Sequence, residues 1–147
     1  MSMQPSIRRF LRFPAARFLP LLAVSGLLLF FPLSGKAQQI FFCESVDKEG
    51  KPSGTSNTFS IAPKGSYLNV LVKLPAPAGT TRIIYDLYAV DSLGQEKFES
   101  TTSQDIPSEW TWFHKGFTFY RPGQYAVYVY DDSEKLLVAG KLILVRK

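Results

Sequence analysis

This 147-residue chain holds one cysteine, one histidine and two tryptophans, and each scarcity excludes something. A single thiol, Cys43, rules out a disulfide within the chain, so the fold must rest on an apolar core alone. It sits in the run Ile40-Phe41-Phe42-Cys43, where a free thiol either packs as a small hydrophobe or pairs with a second chain. His114 is the only histidine, so any histidine-based triad or base must use it, and no Gly-x-Ser-x-Gly motif accompanies it. One histidine and one cysteine on separate segments do not make a zinc site, which takes three or four ligands. No glycine-rich loop opens a helix, so a phosphate cradle is missing too. General acid–base chemistry usually needs two positioned groups. The chain is therefore expected to be no enzyme and to use no cofactor or metal. The acidic stretch Asp131-Asp132-Ser133-Glu134 would hold calcium only with oxygens from a second place such as Asp86 or Asp91; alone it reads as a solvated turn.

The amino-terminal segment reads as a signal peptide over residues 1–37. Arg8, Arg9, Arg12 and Arg17 form a basic region without acids, Phe18 to Leu33 is an apolar run, and Ser34-Gly35-Lys36-Ala37 supplies small residues for cleavage after Ala37. The run is sixteen residues long and is interrupted by Pro20, Gly26 and Pro32, short of the roughly 20 apolar residues of a spanning helix. A chain that is exported and periplasmic or at the cell surface, with no transmembrane segment after cleavage, is expected. Five of the seventeen basic residues and none of the twelve acidic ones lie in residues 1–37, which leaves twelve of each sign in the remainder. The high isoelectric point thus belongs to the signal, and nothing suggests a nucleic-acid partner, which needs a clustered positive field.

Residues 38–147 are expected to form one β-sandwich domain. Apolar residues recur with period two, in short runs divided by Gly, Pro, Asn, Asp and Ser, which is the pattern of an all-β protein. Strands are expected at Ile40–Val46, Thr58–Ile61, Tyr67–Leu74 and Arg82–Asp91, with a solvated turn or loop over 47–54. In Tyr67–Leu74 the residues Leu68, Val70, Val72 and Leu74 share one face against Asn69 and Lys73 on the other, so that strand reads as one-sided. Glu96–Ser103, with Phe98 its only apolar side chain, reads as a charged edge strand. Trp110–His114 and Phe117–Tyr120 read as two strands or one bent at Lys115-Gly116. Tyr125–Tyr130 is apolar on both faces and so belongs inside a sheet. Lys135–Val145 is the last strand, with Gly140 suggesting a bulge.

The segment Pro122-Gly123-Gln124-Tyr125-Ala126-Val127-Tyr128-Val129, closed by an acidic turn and a final apolar strand, resembles immunoglobulin-like and PKD-like modules of secreted bacterial proteins. The resemblance implies an antiparallel sandwich of seven to nine strands. It also implies that the hydroxyl of Tyr125 anchors a corner by bonding to nearby backbone. It covers about 25 residues, lacks the disulfide of true immunoglobulin domains and implies no activity. The stretch from Gly123 to Lys147 also looks like the carboxy-terminal sorting domains of type IX secretion cargo, without their Asn-Pro start.

The aromatics carry what functional signal there is. Trp110, Trp112, Tyr128 and Tyr130 are the candidate binding residues, with His114 continuing the parity of the two tryptophans. Either these rings fill a core that has no disulfide, or they stand at the surface as a patch for another envelope or extracellular protein, or for a glycan. Trp110 and Trp112, or strand addition along Glu96–Ser103, are the two devices expected of a non-catalytic interaction module. A carbohydrate-binding module using exposed aromatics is the alternative.

Overall fold

Strand pairing sorts the described residues into two main sheets around one core and a small hairpin. The computed structural model describes residues 37–147; the expected signal peptide over residues 1–37 lies outside them, apart from Ala37. The strands are β1 (Gln39–Cys43), β2 (Ser45–Val46), β3 (Pro52–Ser53), β4 (Thr58–Ile61) and β5 (Ser66–Lys73). They continue with β6 (Arg82–Val90), β7 (Glu96–Asp105), β8 (Trp112–Phe119), β9 (Gly123–Asp131) and β10 (Leu136–Arg146). One sheet has the order β1-β5-β8 and the other β4-β10-β9-β6-β7, while β2 and β3 form a small hairpin. All pairs are antiparallel except β4 with β10.

This is an immunoglobulin-like sandwich, with β5 and β8 in one sheet and β6, β9 and β10 in the other, as the B and E strands oppose C, F and G. The corner expected at Tyr125 is present: its hydroxyl donates to the Arg121 carbonyl at 2.9 Å, near the start of the strand where such a tyrosine belongs. On β6, the strand that carries a buried tryptophan in antibody domains, Tyr85 is fully buried. Its hydroxyl donates to Gln104 Oε1 at 2.6 Å, its ring edge meets Phe117 at 5.6 Å, and burial pushes its pKa well up. The core is completed by side chains such as Val70, Phe113, Val127 and Leu142. β9 lies in the middle of its sheet and β7 at its edge, as the apolar and polar patterns of the two strands require.

Two expectations change. β5 is not one-sided: Asn69 and Leu71, on the face away from the core, are buried as well. The cover is the segment 44–56, which turns back across this sheet. Asn69 Nδ2 donates to the Glu44 carbonyl at 3.2 Å, and the Ser56 amide bonds to Phe42 O at 3.1 Å. The same cover buries Cys43, whose thiol pKa burial raises. Residues 47–54, expected as a solvated turn or loop, hold the turn and the second strand of the β2–β3 hairpin. Gly140 is not at a bulge; the register of β10 shifts between Leu136 and Val138. Gly140 is instead a point of close approach, where a Cβ would come within 2.8 Å of Ile40 and 3.1 Å of the Phe42 ring. A side chain there would push β1 away from β10.

Three hairpins close with one device. In Asp47-Lys48-Glu49-Gly50-Lys51, Asp91-Ser92-Leu93-Gly94-Gln95 and Asp131-Asp132-Ser133-Glu134-Lys135, the aspartate Oδ1 accepts from the amides two and four residues on, at 2.8–2.9 Å. The fourth residue is left-handed in each, at φ +80° in Gly50 and Gly94 and +65° in Glu134. Aspartate suits the first place because its short carboxylate mimics a turn of backbone.

Candidate functional site

Period-two alternation puts Trp112 and His114 on the side of β8 opposite to core Phe113. They therefore stand on the outer face of the three-stranded sheet, with Trp110 just before them in the chain. The three rings form a row with nearly parallel planes: Trp110 and Trp112 centroids are 6.5 Å apart at 16°, and Trp112 and His114 are 6.4 Å apart at 13°. Neither tryptophan is in the core. Trp110 is 43 % exposed and Trp112 is half-buried. The row borders an open cleft of about 570 Å³, to which Lys48, Gln104 and Glu109 also contribute.

The polar groups around the row are arranged by the fold. Gln104 on β7 receives the Tyr85 hydroxyl and donates its Nε2 to the His114 carbonyl at 3.0 Å, so it ties the end strand of one sheet to the end strand of the other. His114 Nδ1 lies 3.1 Å from Asn69 Oδ1. Because the Asn69 amide nitrogen already donates to Glu44 O, its oxygen acts as acceptor and Nδ1 carries the proton. In the neutral ring that leaves Nε2 as an acceptor. Trp112 has a second task. The backbone of Gly50 rests on its indole, and a Cβ there would lie 2.6 Å from Cδ2.

The other two candidate rings stand elsewhere. Tyr128 and Tyr130 point outward from β9, on the outer face of the five-stranded sheet, across the sandwich from the tryptophans. Tyr88 packs edge-on against both Phe98 (5.7 Å) and Tyr128 (5.4 Å). The Tyr128 hydroxyl reaches both carboxylate oxygens of Glu96 at 2.7 and 2.8 Å, which pushes its pKa up to about 12. Tyr130 is raised by partial burial and by the charge of Asp86. The four candidates are thus two pairs on opposite surfaces, because β8 and β9 belong to different sheets and side-chain parity does not carry across the turn between them. Sequence reading missed Tyr88 and Gln104; along β6, Ile83, Tyr85 and Leu87 share one face, and that alternation is the signal that sets Tyr88 on the other.

Among the described residues no three His, Cys, Asp or Glu side chains are grouped as a metal would need. The Asp131 carboxylate is instead occupied by its own turn. No helix among them is long and apolar enough to cross a membrane.

No protein-family model matches the chain, and no curated protein matches it. Among solved structures it is similar to an immunoglobulin-like protein of Pseudomonas aeruginosa, with 11 % identity and a TM-score of 0.48 over 73 % of this chain and 92 % of that one. It is also similar to part of the alkylpurine DNA glycosylase AlkC of Pseudomonas fluorescens, solved with DNA containing an abasic site analog. There the identity is 16 % and the TM-score 0.36, over 60 % of this chain and 27 % of that one.

Proposed function

We propose that the chain is an exported, non-catalytic interaction module that binds another envelope or extracellular protein through the cleft beside Trp110. The observation that carries this reading is the ring row itself, with an exposed tryptophan at its end. A half-exposed Trp110 is costly to keep in water and is the type of side chain that anchors protein interfaces. Around it stand groups that give direction to a contact: the His114 ring, the Gln104 amide, and opposite charges at Lys48 and Glu109. The balanced charge of residues 38–147 agrees with a contact made by shape and rings rather than by a long-range field.

A glycan platform needs ring faces open to solvent. One face of Trp112 is taken by Gly50, which leaves Trp110 as the main open face and favours a protein over a sugar chain. The test is capture of partners by the tagged protein from its native envelope under mild crosslinking, beside Trp110→Ala. Loss of a stoichiometric protein partner in the folded variant supports the reading. Capture unchanged by the substitution, or saturable binding to a polysaccharide instead, contradicts it.

A further inference from the structure

The two outer faces of the sandwich differ in one respect. The three-stranded sheet is covered by its own segment 44–56, and the five-stranded sheet has no such cover. Its outer face carries four exposed large apolar side chains, Phe98 at 53 %, Leu136 at 48 %, Ile143 at 45 % and Val145 at 42 %, against Tyr67 on β5 of the other sheet. Strand register sets this face out in rows across the sheet. One row runs Lys141, Ala126, Tyr88, Phe98, and the next runs Ala139, Tyr128, Asp86, Thr101. Ala126 and Ala139 leave shallow ground beside the raised rings.

The charges on this face are divided between its flanks. Lys141 stands on β10, while Asp86 and Glu96 stand on β6 and β7 beyond β9. Among the described residues the one ion pair is Arg82 with Asp105, so Lys141 and Asp86 form no ion pair there. A twofold axis parallel to the strands and lying over β9 would place β10 of one copy over β6 of the other, keeping each row in line. Lys141 would then meet the Tyr88 ring of the second copy beside its Asp86. Ala126 and Tyr128, both on β9, would each face their own counterparts. A twofold axis across the strands would instead set β10 over β10 and match no charges.

We infer that the chain forms a twofold dimer through the outer face of the five-stranded sheet, with Lys141 of each copy against Tyr88 and Asp86 of the other. Such an interface is isologous, so one patch serves both copies. Face-to-face packing of sheets about 10 Å apart lets the rings interdigitate. The tryptophan row lies on the opposite surface and stays open in the dimer.

The test is sedimentation velocity from 1 to 100 µM (concentrations on the order of those at which modest interfaces dissociate) on protein expressed from the full-length coding sequence and purified as the cell accumulates it. The wild type should show a concentration-dependent dimer. Lys141→Glu and Asp86→Lys should each weaken it at least tenfold, and the double variant should recover most of the loss, since the swap restores opposite charges. Circular dichroism checks that each variant is folded, and Lys141 is exposed enough for its replacement to leave the fold alone. A wild type monomeric throughout the range overturns the inference. So does a dimer that the single variants leave intact, or a double variant no better than the worse single one.

Discussion

Gly50 lies on the indole of Trp112, joining the tip of the β2–β3 hairpin to the first residue of β8. Its φ of +80° and the 2.6 Å that would separate a Cβ from Trp112 Cδ2 make two separate demands for glycine. Gly50→Ala is expected to destabilise the domain by about 2 kcal/mol, the sum of left-handed strain and a displaced ring. A urea melt checks the value. Trp112→Ala should free the hairpin without unfolding the core, seen as faster hydrogen exchange at the Asp47 amide, which bonds to Lys51 O at 2.9 Å. A global loss of protection would mean that Trp112 supports the core instead.

Glu134 takes the place that glycine fills in the other two hairpins of the same construction. A side chain at φ +65° costs roughly 1–2 kcal/mol, part of which glycine returns as freedom in the unfolded chain. Glu134→Gly should therefore stabilise the protein by about 1 kcal/mol in thermal or urea unfolding, whereas Gly94→Ala should destabilise it by a similar amount. No gain from Glu134→Gly would mean that this carboxylate has a contact of its own.

Tyr125→Phe removes the corner hydroxyl and leaves the Arg121 carbonyl without its bond. Tyr125 is nearly buried, so the expected loss is about 1 kcal/mol. The measurement is a urea midpoint shift at unchanged slope. An unchanged midpoint would show that the corner is held by packing of the ring against Phe119 (5.2 Å) and not by the hydrogen bond.

The Tyr128 phenol is neutral when it donates to Glu96, and its pKa rises from 10.0 to about 12 in the fold. The bond therefore stabilises the fold fully below about pH 10 and is lost as pH rises from there to about 12. Tyrosinate absorbance during an alkaline titration should contain a late phase from Tyr128 beside that of buried Tyr85, and Glu96→Gln should move the Tyr128 phase alone to lower pH by removing the charged acceptor. A titration identical in the two proteins would contradict the pairing.

What could be read from residues alone was what depends on short-range pattern. Tyr125–Tyr130 announces a central strand by being apolar on both faces, and Glu96–Ser103 announces an edge by its polarity. Pro122-Gly123-Gln124-Tyr125 announces the corner. Burial of Cys43 was legible from its place in an apolar run, whereas burial of Asn69 and Leu71 was hidden because their cover comes from the segment 44–56, through contacts that no periodicity encodes. The even parity of Trp110, Trp112, Tyr128 and Tyr130 gives them no common face, because the chain crosses from one sheet to the other between β8 and β9. Gly140 looked like a bulge because a glycine in a strand has two uses, and only the approach of Ile40 and Phe42 tells which one applies. The repeated Asp-x-x-Gly of two hairpins was present in the sequence and marks the turns at Asp47 and Asp91. The third, at Asp131, reads as a turn from its acidic run, but its kinship with the other two is masked by Glu134 at the glycine position.

The proposed binding role of the tryptophan cleft is tested most directly by replacing Trp110 alone, since its neighbour Trp112 also holds the hairpin. The measurement is quantitative recovery of crosslinked partners from the native envelope by wild type and Trp110→Ala, with circular dichroism and a urea melt on both. Recovery of a stoichiometric protein by the wild type, reduced at least tenfold in an equally stable variant, is the expected result. Equal recovery by the two proteins, or no protein partner for either, would contradict the account.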